Sequence, residues 1–241
     1  MNYELDVLAV FAHPDDAELL CGGTLARCVD EGESVGILDL TRGEAASRGT
    51  PEEREREAAA AAATLGVHIR RNVGLPDAGI ENSLSSRLRV ATHLRALRPR
   101  VVVTHWTEGR HPDHRAAASL VRDASFLAGL KSLDIEGSPH RPHKVVYALA
   151  FREDAPLPSF VVDVSQQIDR KLEAMACFAS QWKGSTGAGE AYPGGDRPLA
   201  DQVRAHLAHH GSRIRVAYGE PYWTMETLEV SSLGALRVST F

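Results

Sequence analysis

Two short segments, His13-Pro14-Asp15-Asp16 and His111-Pro112-Asp113-His114, carry the residue types from which proteins build sites for divalent metal ions. A catalytic zinc takes three protein ligands from histidine and carboxylate side chains and keeps a fourth position open for water. His13 and Asp16, three positions apart around Pro14, can point to one side of a tight turn, and a distant histidine, His114, completes the set. Pro14 fixes its own φ and biases His13 towards an extended backbone, which helps to hold that turn. Each segment also has a plainer explanation as the polar start of a helix, with Asp15 or Asp16 capping the first and Asp113 the second. Two such clusters, each at the end of an expected strand, are harder to account for in that way.

The elements that must position these residues alternate along the chain. Leu5 to Ala12 is an apolar run ending at a proline-containing turn, as a buried parallel strand does, and a helix is expected from Ala17 to Glu31. Ser34 to Thr41 is a second strand, followed by a polar loop from Arg42 to Gly49. Thr50-Pro51-Glu52-Glu53 then supplies an N-cap, a proline at the first helical position and a glutamate for a capping box, and Gly66 is the C-cap of that helix. Val67 to Val73 and Arg100 to His105 are expected strands, with a helix from Ser83 to Leu97 between them. Beyond Leu130 the rhythm loosens: strands at Val145 to Phe151 and Phe160 to Val164, a helix from Ser165 to Ser180, and a mobile loop from Lys183 to Arg197. The expected architecture is α/β, a three-layer αβα Rossmann-like arrangement around a mostly parallel sheet, with residues 1–241 forming one domain. Both HPD clusters then fall at the carboxyl ends of strands, where such folds bind ligands.

Composition narrows the function. The 241 residues are 43% hydrophobic and 24% charged, the makeup of an ordinary soluble domain. The cysteines Cys21, Cys28 and Cys177 are odd in number and lack CxxC spacing, which argues against disulfides and thiolate zinc clusters, and Cys21 and Cys28 are expected to fill the core. A formal charge of −5 gives no general attraction to nucleic acid, and no leader-like or membrane-spanning segment is apparent, so a cytoplasmic location is expected. Gly22-Gly23 lies inside a helix rather than in the turn opening it, so close helix packing explains it better than dinucleotide binding. His140, His143, His206, His209 and His210 show no ligand spacing and are expected in surface or core roles.

Ala12-His13-Pro14-Asp15-Asp16 followed by Cys21-Gly22-Gly23-Thr24-Leu25, together with His111-Pro112-Asp113-His114, resembles the zinc-dependent LmbE-like N-deacetylases, also called the PIG-L family. The segments Asp39 to Glu44, Arg48-Gly49-Thr50, Leu75-Pro76-Asp77, Gly109 to His114, Pro139 to Pro142 and Ser180-Gln181 are similar to the branch that deacetylates N-acetylglucosaminyl L-malate in bacillithiol biosynthesis. The resemblance implies that His13, Asp16 and His114 bind zinc and that Asp15 is the catalytic carboxylate. It further implies that His111 stabilises the oxyanion, with Asp113 beside it as an orienting partner, and that Arg54 contacts the sugar. Relatives are often hexamers. Two segments depart from the family pattern: Val103-Thr104-His105-Trp106, which leaves His105 without a role, and Glu220-Pro221-Tyr222-Trp223.

Amide hydrolysis needs a nucleophile at neutral pH, a proton carrier and stabilisation of a tetrahedral oxyanion, and the two clusters can supply all three. Asp15 would carry the proton, and a protonated His111 held by Asp113 would face the developing charge. Arg42 and Arg110 are expected to grip the two carboxylates of a malyl group. Without the resemblance, Arg54 among Glu52, Glu53 and Glu55 reads as part of a solvated charged face. The alternatives are another acetylated sugar such as a chitobiose unit, a thiol-conjugate amide, or a non-catalytic metal- or nucleotide-binding module. The ligand set also accommodates Fe(II) or Co(II) in place of zinc.

Overall fold

The computed structural model describes residues 4–149, 151, 156–182 and 197–239. The first half of the chain runs β1 (Leu5–Phe11), α1 (Asp16–Asp30), β2 (Val35–Asp39), α2 (Pro51–Leu65), β3 (Ile69–Asn72), α3 (Leu84–Leu97), β4 (Pro99–His105) and α4 (Pro112–Ala128). The second half runs β5 (Lys144–Ala148), β6 (Phe160–Asp163), α5 (Ile168–Ala176), α6 (Ala179–Trp182), α7 (Leu199–Arg213) and β7 (Gly219–Trp223). The strands form a seven-stranded sheet in the order β3-β2-β1-β4-β5-β7-β6.

β1 is apolar on both sides because it is covered on both sides. Leu8 and Val10 pack with α3 and α4 through Leu94, Leu120 and Val121, while Val7, Ala9 and Phe11 pack with α1, α2 and α5 through Leu25, Leu65 and Ala174. From β1 the chain steps outward to β2 and β3, then returns to lay β4 on the other side of β1, parallel to it. The order reverses between these two strands, so the crevice at their carboxyl ends is the natural ligand site of this fold. His13 to Asp16 follow β1 and His111 to His114 open α4 just after β4.

The expected α/β architecture and the first four strands are present, with β3 trimmed to four residues. The helix caps behave as their residues require: Thr50 Oγ1 accepts the Glu53 N–H at 3.1 Å, and Gly66 takes φ 78°, a left-handed cap that suits glycine. The helix expected over 165–180 is instead two pieces, α5 and α6, broken at Cys177 and Phe178. Most of the expected loop at 183–197 lies outside the described residues, and α7 and β7 beyond it were not anticipated. β7 pairs antiparallel with both β5 and β6 although it contains Glu220 and Pro221, residues that ordinarily argue against a strand.

A buried ion pair explains how Glu220 is tolerated there. Lys171 and Glu220 have no exposed side-chain surface, and Lys171 Nζ donates to Glu220 Oε1 at 2.7 Å and to the carbonyls of Glu18 and Leu19. The carboxylate also accepts the Gly23 N–H at 2.9 Å and the Thr24 N–H at 2.7 Å, while Tyr222 Oη donates to Thr24 Oγ1. The carboxylate thereby ties β7 to α1 and α5. Gly23 is required by this approach, because a Cβ there would lie 2.9 Å from Val164 Cβ and 3.0 Å from Glu220 Oε1. Replacing Glu220 by Leu strands the Lys171 charge in the core and is expected to lower unfolding stability by about 3–5 kcal/mol, measured by urea denaturation. The double replacement Lys171→Met with Glu220→Leu should recover part of that loss; equal instability would show that the pair is not the cause.

Candidate metal and hydrolytic site

The turn after β1 is built around Asp16. Its Oδ2 accepts the His13 backbone N–H at 2.8 Å and lies 3.2 Å from His13 Nδ1, so the carboxylate folds back over the turn instead of capping α1. Asp15 occupies the N-cap position but makes no side-chain cap hydrogen bond, and its backbone is held at φ 114°. A non-glycine residue there costs on the order of 1–3 kcal/mol, a strain that the surrounding contacts must hold. Neither carboxylate is therefore spent on opening the helix. Burial, partly offset by the Arg54 guanidinium and reinforced by the neighbouring Asp16, pushes the Asp15 carboxyl up to about 8.

His114 comes to the same turn from the first turn of α4, with Nε2 3.3 Å from Asp16 Oδ1. Its ring stacks on His105 at 3.9 Å on one side and on His111 at 4.7 Å on the other. His105, only 1% exposed, accepts the Ala12 N–H on Nε2 at 2.9 Å and lies 3.4 Å from Asp16 Oδ2. It thus braces both the end of β1 and the ring of His114. The signal for it was in the sequence, a histidine closing the apolar run of β4, but no spacing rule assigned it a partner.

The structure corrects the expected partnership of His111 and Asp113. The Asp113 carboxylate lies within 4.8 Å of a His111 ring nitrogen but makes its hydrogen bonds elsewhere: Oδ2 lies 3.3 Å from His13 Nε2 and accepts the Ala78 N–H at 2.8 Å, and Oδ1 accepts the Ile80 N–H at 3.3 Å. It is instead the Asp113 backbone N–H that meets His111 Nδ1, at 3.2 Å, so His111 is itself the side-chain cap of α4 and Asp113 is not. Burial and the neighbouring His114 and His13 rings hold His111 below the ordinary histidine range. With Nδ1 accepting the Asp113 N–H, the ring proton is left on Nε2, an arrangement that suits a neutral donor and not the imidazolium expected from the sequence.

Asp77, from the loop after β3, stands in a segment that carries the family resemblance but has no role assigned from the sequence, and it lies 3.0 Å from His13 Nε2. His13 is consequently set between carboxylates, Asp16 at Nδ1 and Asp77 with Asp113 at Nε2. Burial alone would lower its pKa, but hydrogen bonds that the ring donates to Asp113, Asp16 and Asp77 raise it to about 12. The proton held there marks a place that favours positive charge. Nitrogens of His13 and His114 and an oxygen of Asp16 lie within 4.8 Å of one another. Tetrahedral zinc with bonds of roughly 2.0–2.1 Å has ligand-to-ligand edges of roughly 3.3 Å. Asp16 approaches each ring at a distance close to such an edge, Oδ2 at 3.2 Å from His13 Nδ1 and Oδ1 at 3.3 Å from His114 Nε2, so its carboxylate lies between the two imidazoles and the donor set suits a divalent metal. The carboxylates on His13 Nε2 would then fix the ring with Nδ1 facing the ion.

The arginines are placed differently from one another. Arg54 is 3% exposed rather than on a solvated face: its guanidinium donates to the Pro14 and Gly43 carbonyls and lies 3.3 Å from Asp15 Oδ1. Arg42 is half-exposed and reaches Glu52 and Glu55 at 3.5 and 3.4 Å, and Arg110 is exposed in the loop before His111. His140 is buried with Nε2 2.8 Å from the Pro99 carbonyl, and His206 packs on Phe151, roles in packing as expected. Cys21 is fully buried in the core. No helix among the described residues is long and apolar enough to cross a membrane.

Residues 8–125 match the family described as GlcNAc-PI de-N-acetylase, PIG-L. The chain is 30% identical to the diacetylchitobiose deacetylase of Thermococcus kodakarensis, over 73% of this chain and 70% of that protein. It is 28% identical to a probable N-acetyl-α-D-glucosaminyl L-malate deacetylase of Bacillus cereus, over 74% of this chain and 84% of the relative. Among solved structures, a conserved protein from Thermus thermophilus superposes with a TM-score of 0.86 at 41% identity, covering 95% of this chain and 98% of that one. By class, then, the protein is a hydrolytic N-deacetylase on an αβα fold. The chain belongs to the PIG-L family.

If Asp77 and Asp113 hold His13 for a metal, removing either weakens metal binding by about 10- to 100-fold, measured by competition with a chromophoric chelator. The losses in Asp77→Ala and Asp113→Ala should be similar, since each carboxylate also holds two backbone amides, Asp113 those of Ala78 and Ile80 and Asp77 those of Ala45 and Ala78. Unchanged affinity in both variants would remove these carboxylates from the metal site.

Proposed function

We propose that the chain removes the N-acetyl group from an N-acetylglucosaminyl conjugate, with N-acetylglucosaminyl L-malate of bacillithiol biosynthesis as its specific substrate, using zinc held by His13, Asp16 and His114. The observation that carries this reading is Asp15: a strained, largely covered carboxylate directly beside the proposed ligands and not one of them. A purely binding module has no use for it, which speaks against a non-catalytic metal or nucleotide site. When bound, zinc lowers the pKa of water to roughly 7 and polarises a carbonyl oxygen.

The chain's own groups do the rest. Asp15 takes the proton of the attacking water and returns it to the leaving amine nitrogen. His111, its Nδ1 engaged by the Asp113 backbone, presents Nε2–H to the oxygen that becomes negative as the tetrahedral carbon forms. A neutral donor suffices for that task and needs no reprotonation during turnover. The two carboxylates of a malyl group, spaced as in succinate, would meet Arg42 and Arg110, whose guanidinium groups can take carboxylates through paired hydrogen bonds. The Bacillus cereus relative favours the malate conjugate, and the Thermococcus kodakarensis relative, named for diacetylchitobiose, supports a chitobiose unit as the second reading.

Free-amine release from N-acetylglucosaminyl malate, diacetylchitobiose and free N-acetylglucosamine, with and without chelator, tests both levels. Chelator-sensitive release fastest from the malate conjugate is expected, and Asp15→Asn should lower kcat by roughly 100- to 10,000-fold while the metal stays bound. Turnover unaffected by that substitution would sink the mechanism, and a malate conjugate no better than free N-acetylglucosamine would sink the substrate.

A further inference from the structure

We propose that Arg54 is a positioning residue for Asp15: lying beneath the His13-to-Asp16 turn, it clamps the Pro14 carbonyl and the Asp15 carboxylate together and so fixes where that carboxylate points. The inference rests on the proposed role of Asp15 and extends it to a residue from a different element. Arg54 lies in the first turns of α2, whose start is fixed by the Thr50 cap and Pro51. From there the side chain runs inward until only 4% of it is exposed, against 13% for Asp15. One guanidinium nitrogen, Nη2, serves both the Pro14 carbonyl and Asp15 Oδ1, the latter at 3.3 Å, while Nη1 donates to the Gly43 carbonyl at 3.2 Å.

The contacts fall where the backbone needs them. Asp15 sits at φ 114°, a conformation an aspartate leaves unless neighbouring groups hold it, and the Pro14 carbonyl is the peptide oxygen directly before it. A guanidinium whose Nη2 is shared between that carbonyl and the Asp15 carboxylate restrains the peptide and the side chain together, and Nη1 on the Gly43 carbonyl fixes its plane. The loop after β2 is shaped to admit it. Gly43 has φ +68°, and a Cβ built there would lie 1.9 Å from Arg54 Nη1, so any side chain at 43 would displace the guanidinium. With Nη1 and Nη2 engaged by the protein, Nε buried and the surface covered, Arg54 acts on the reaction through Asp15 and not by gripping the sugar.

The test compares Arg54→Lys with Gly43→Ala, which keeps the arginine but occupies its place. In the zinc-loaded enzyme, each should lower kcat by roughly 100-fold with KM changed by less than about twofold and zinc content unaltered. Arg54→Lys combined with Asp15→Ala should be no slower than Asp15→Ala alone. A raised KM with kcat preserved would assign Arg54 to substrate binding, and losses that multiply in the double variant would separate it from Asp15; either overturns the proposal. In the metal-free protein the melting-temperature losses of Arg54→Lys and Asp15→Ala should likewise be non-additive, and additive losses would overturn it. Should the wild type cleave no acetylated sugar, the deacetylase reading fails, while this thermal cycle still decides whether Arg54 holds Asp15.

Discussion

The parallel pairing of β1 with β4 is the constraint on which the rest depends. Val7 pairs with Val101 and Ala9 with Val103, in register, so the two strands end side by side and the segments that leave them must share one crevice. Residues almost a hundred positions apart in the chain are thereby brought to hydrogen-bonding range, as with His13 and Asp113. The pairing is itself enforced by burial on both faces: a slip of one residue would send Val7, Ala9 and Phe11 to the wrong side of the sheet. His105 ties register to chemistry, because the same ring that receives the Ala12 amide also stacks on His114. A small shift of β4 against β1 would move a proposed ligand.

Much of this was legible in the residues because it follows from local rules. Strands with apolar runs, the Thr50-Pro51 helix start, the Gly66 cap and the place of both HPD clusters at strand ends are all set by near neighbours in sequence. The structure brings His13, Asp16 and His114 together as their types and spacing suggested. What the sequence hid is what long-range contacts decide. β7 carries a glutamate and a proline, and only the Lys171 ammonium and the Gly23 and Thr24 amides, all distant in sequence, make a buried strand of it. Asp77 acquires meaning from a contact with His13 made across the sheet, and Asp113 turns its carboxylate there, leaving a backbone amide to His111. Which of two neighbouring imidazoles a carboxylate selects is a matter of a rotamer, and spacing does not encode it.

The treatment of buried charge separates scaffold from site. In the scaffold each buried carboxylate has a cation supplied by the chain: Glu220 has Lys171, while Asp39 and Glu18 share Arg70, whose guanidinium bonds both at 2.6–2.9 Å. Such pairs offset the cost of taking charge out of water only when their hydrogen bonds are nearly complete; those of Glu220 and Asp39 are, while Glu18 keeps one buried oxygen, Oε2, without a partner. Around His13 the pattern breaks. Among the described residues the ion pairs of Asp16, Asp77 and Asp113 are all with histidines, whose charge is conditional.

Three carboxylates crowded on one imidazole, with no lysine or arginine among their ion pairs in the described residues, form an arrangement that folding alone would disfavour. The chain has the means to neutralise them, since it places Arg54 on Asp15 a few ångströms away and Arg70 on Asp39 at the next strand. Holding back a permanent cation keeps the site's demand for positive charge open to something from outside, and the clustering of the His13, Asp16 and His114 donor atoms within 4.8 Å suits a divalent ion. Asp15, by contrast, is given its arginine. A carboxylate that must move a proton is best kept from the ion beside it, and a fixed guanidinium competes for it more strongly than a neutral donor would. On the proposed mechanism, the three aspartates paired only with histidines belong to the metal site, Asp16 as a ligand and Asp77 and Asp113 behind His13, and the one paired with an arginine, Asp15, carries the proton.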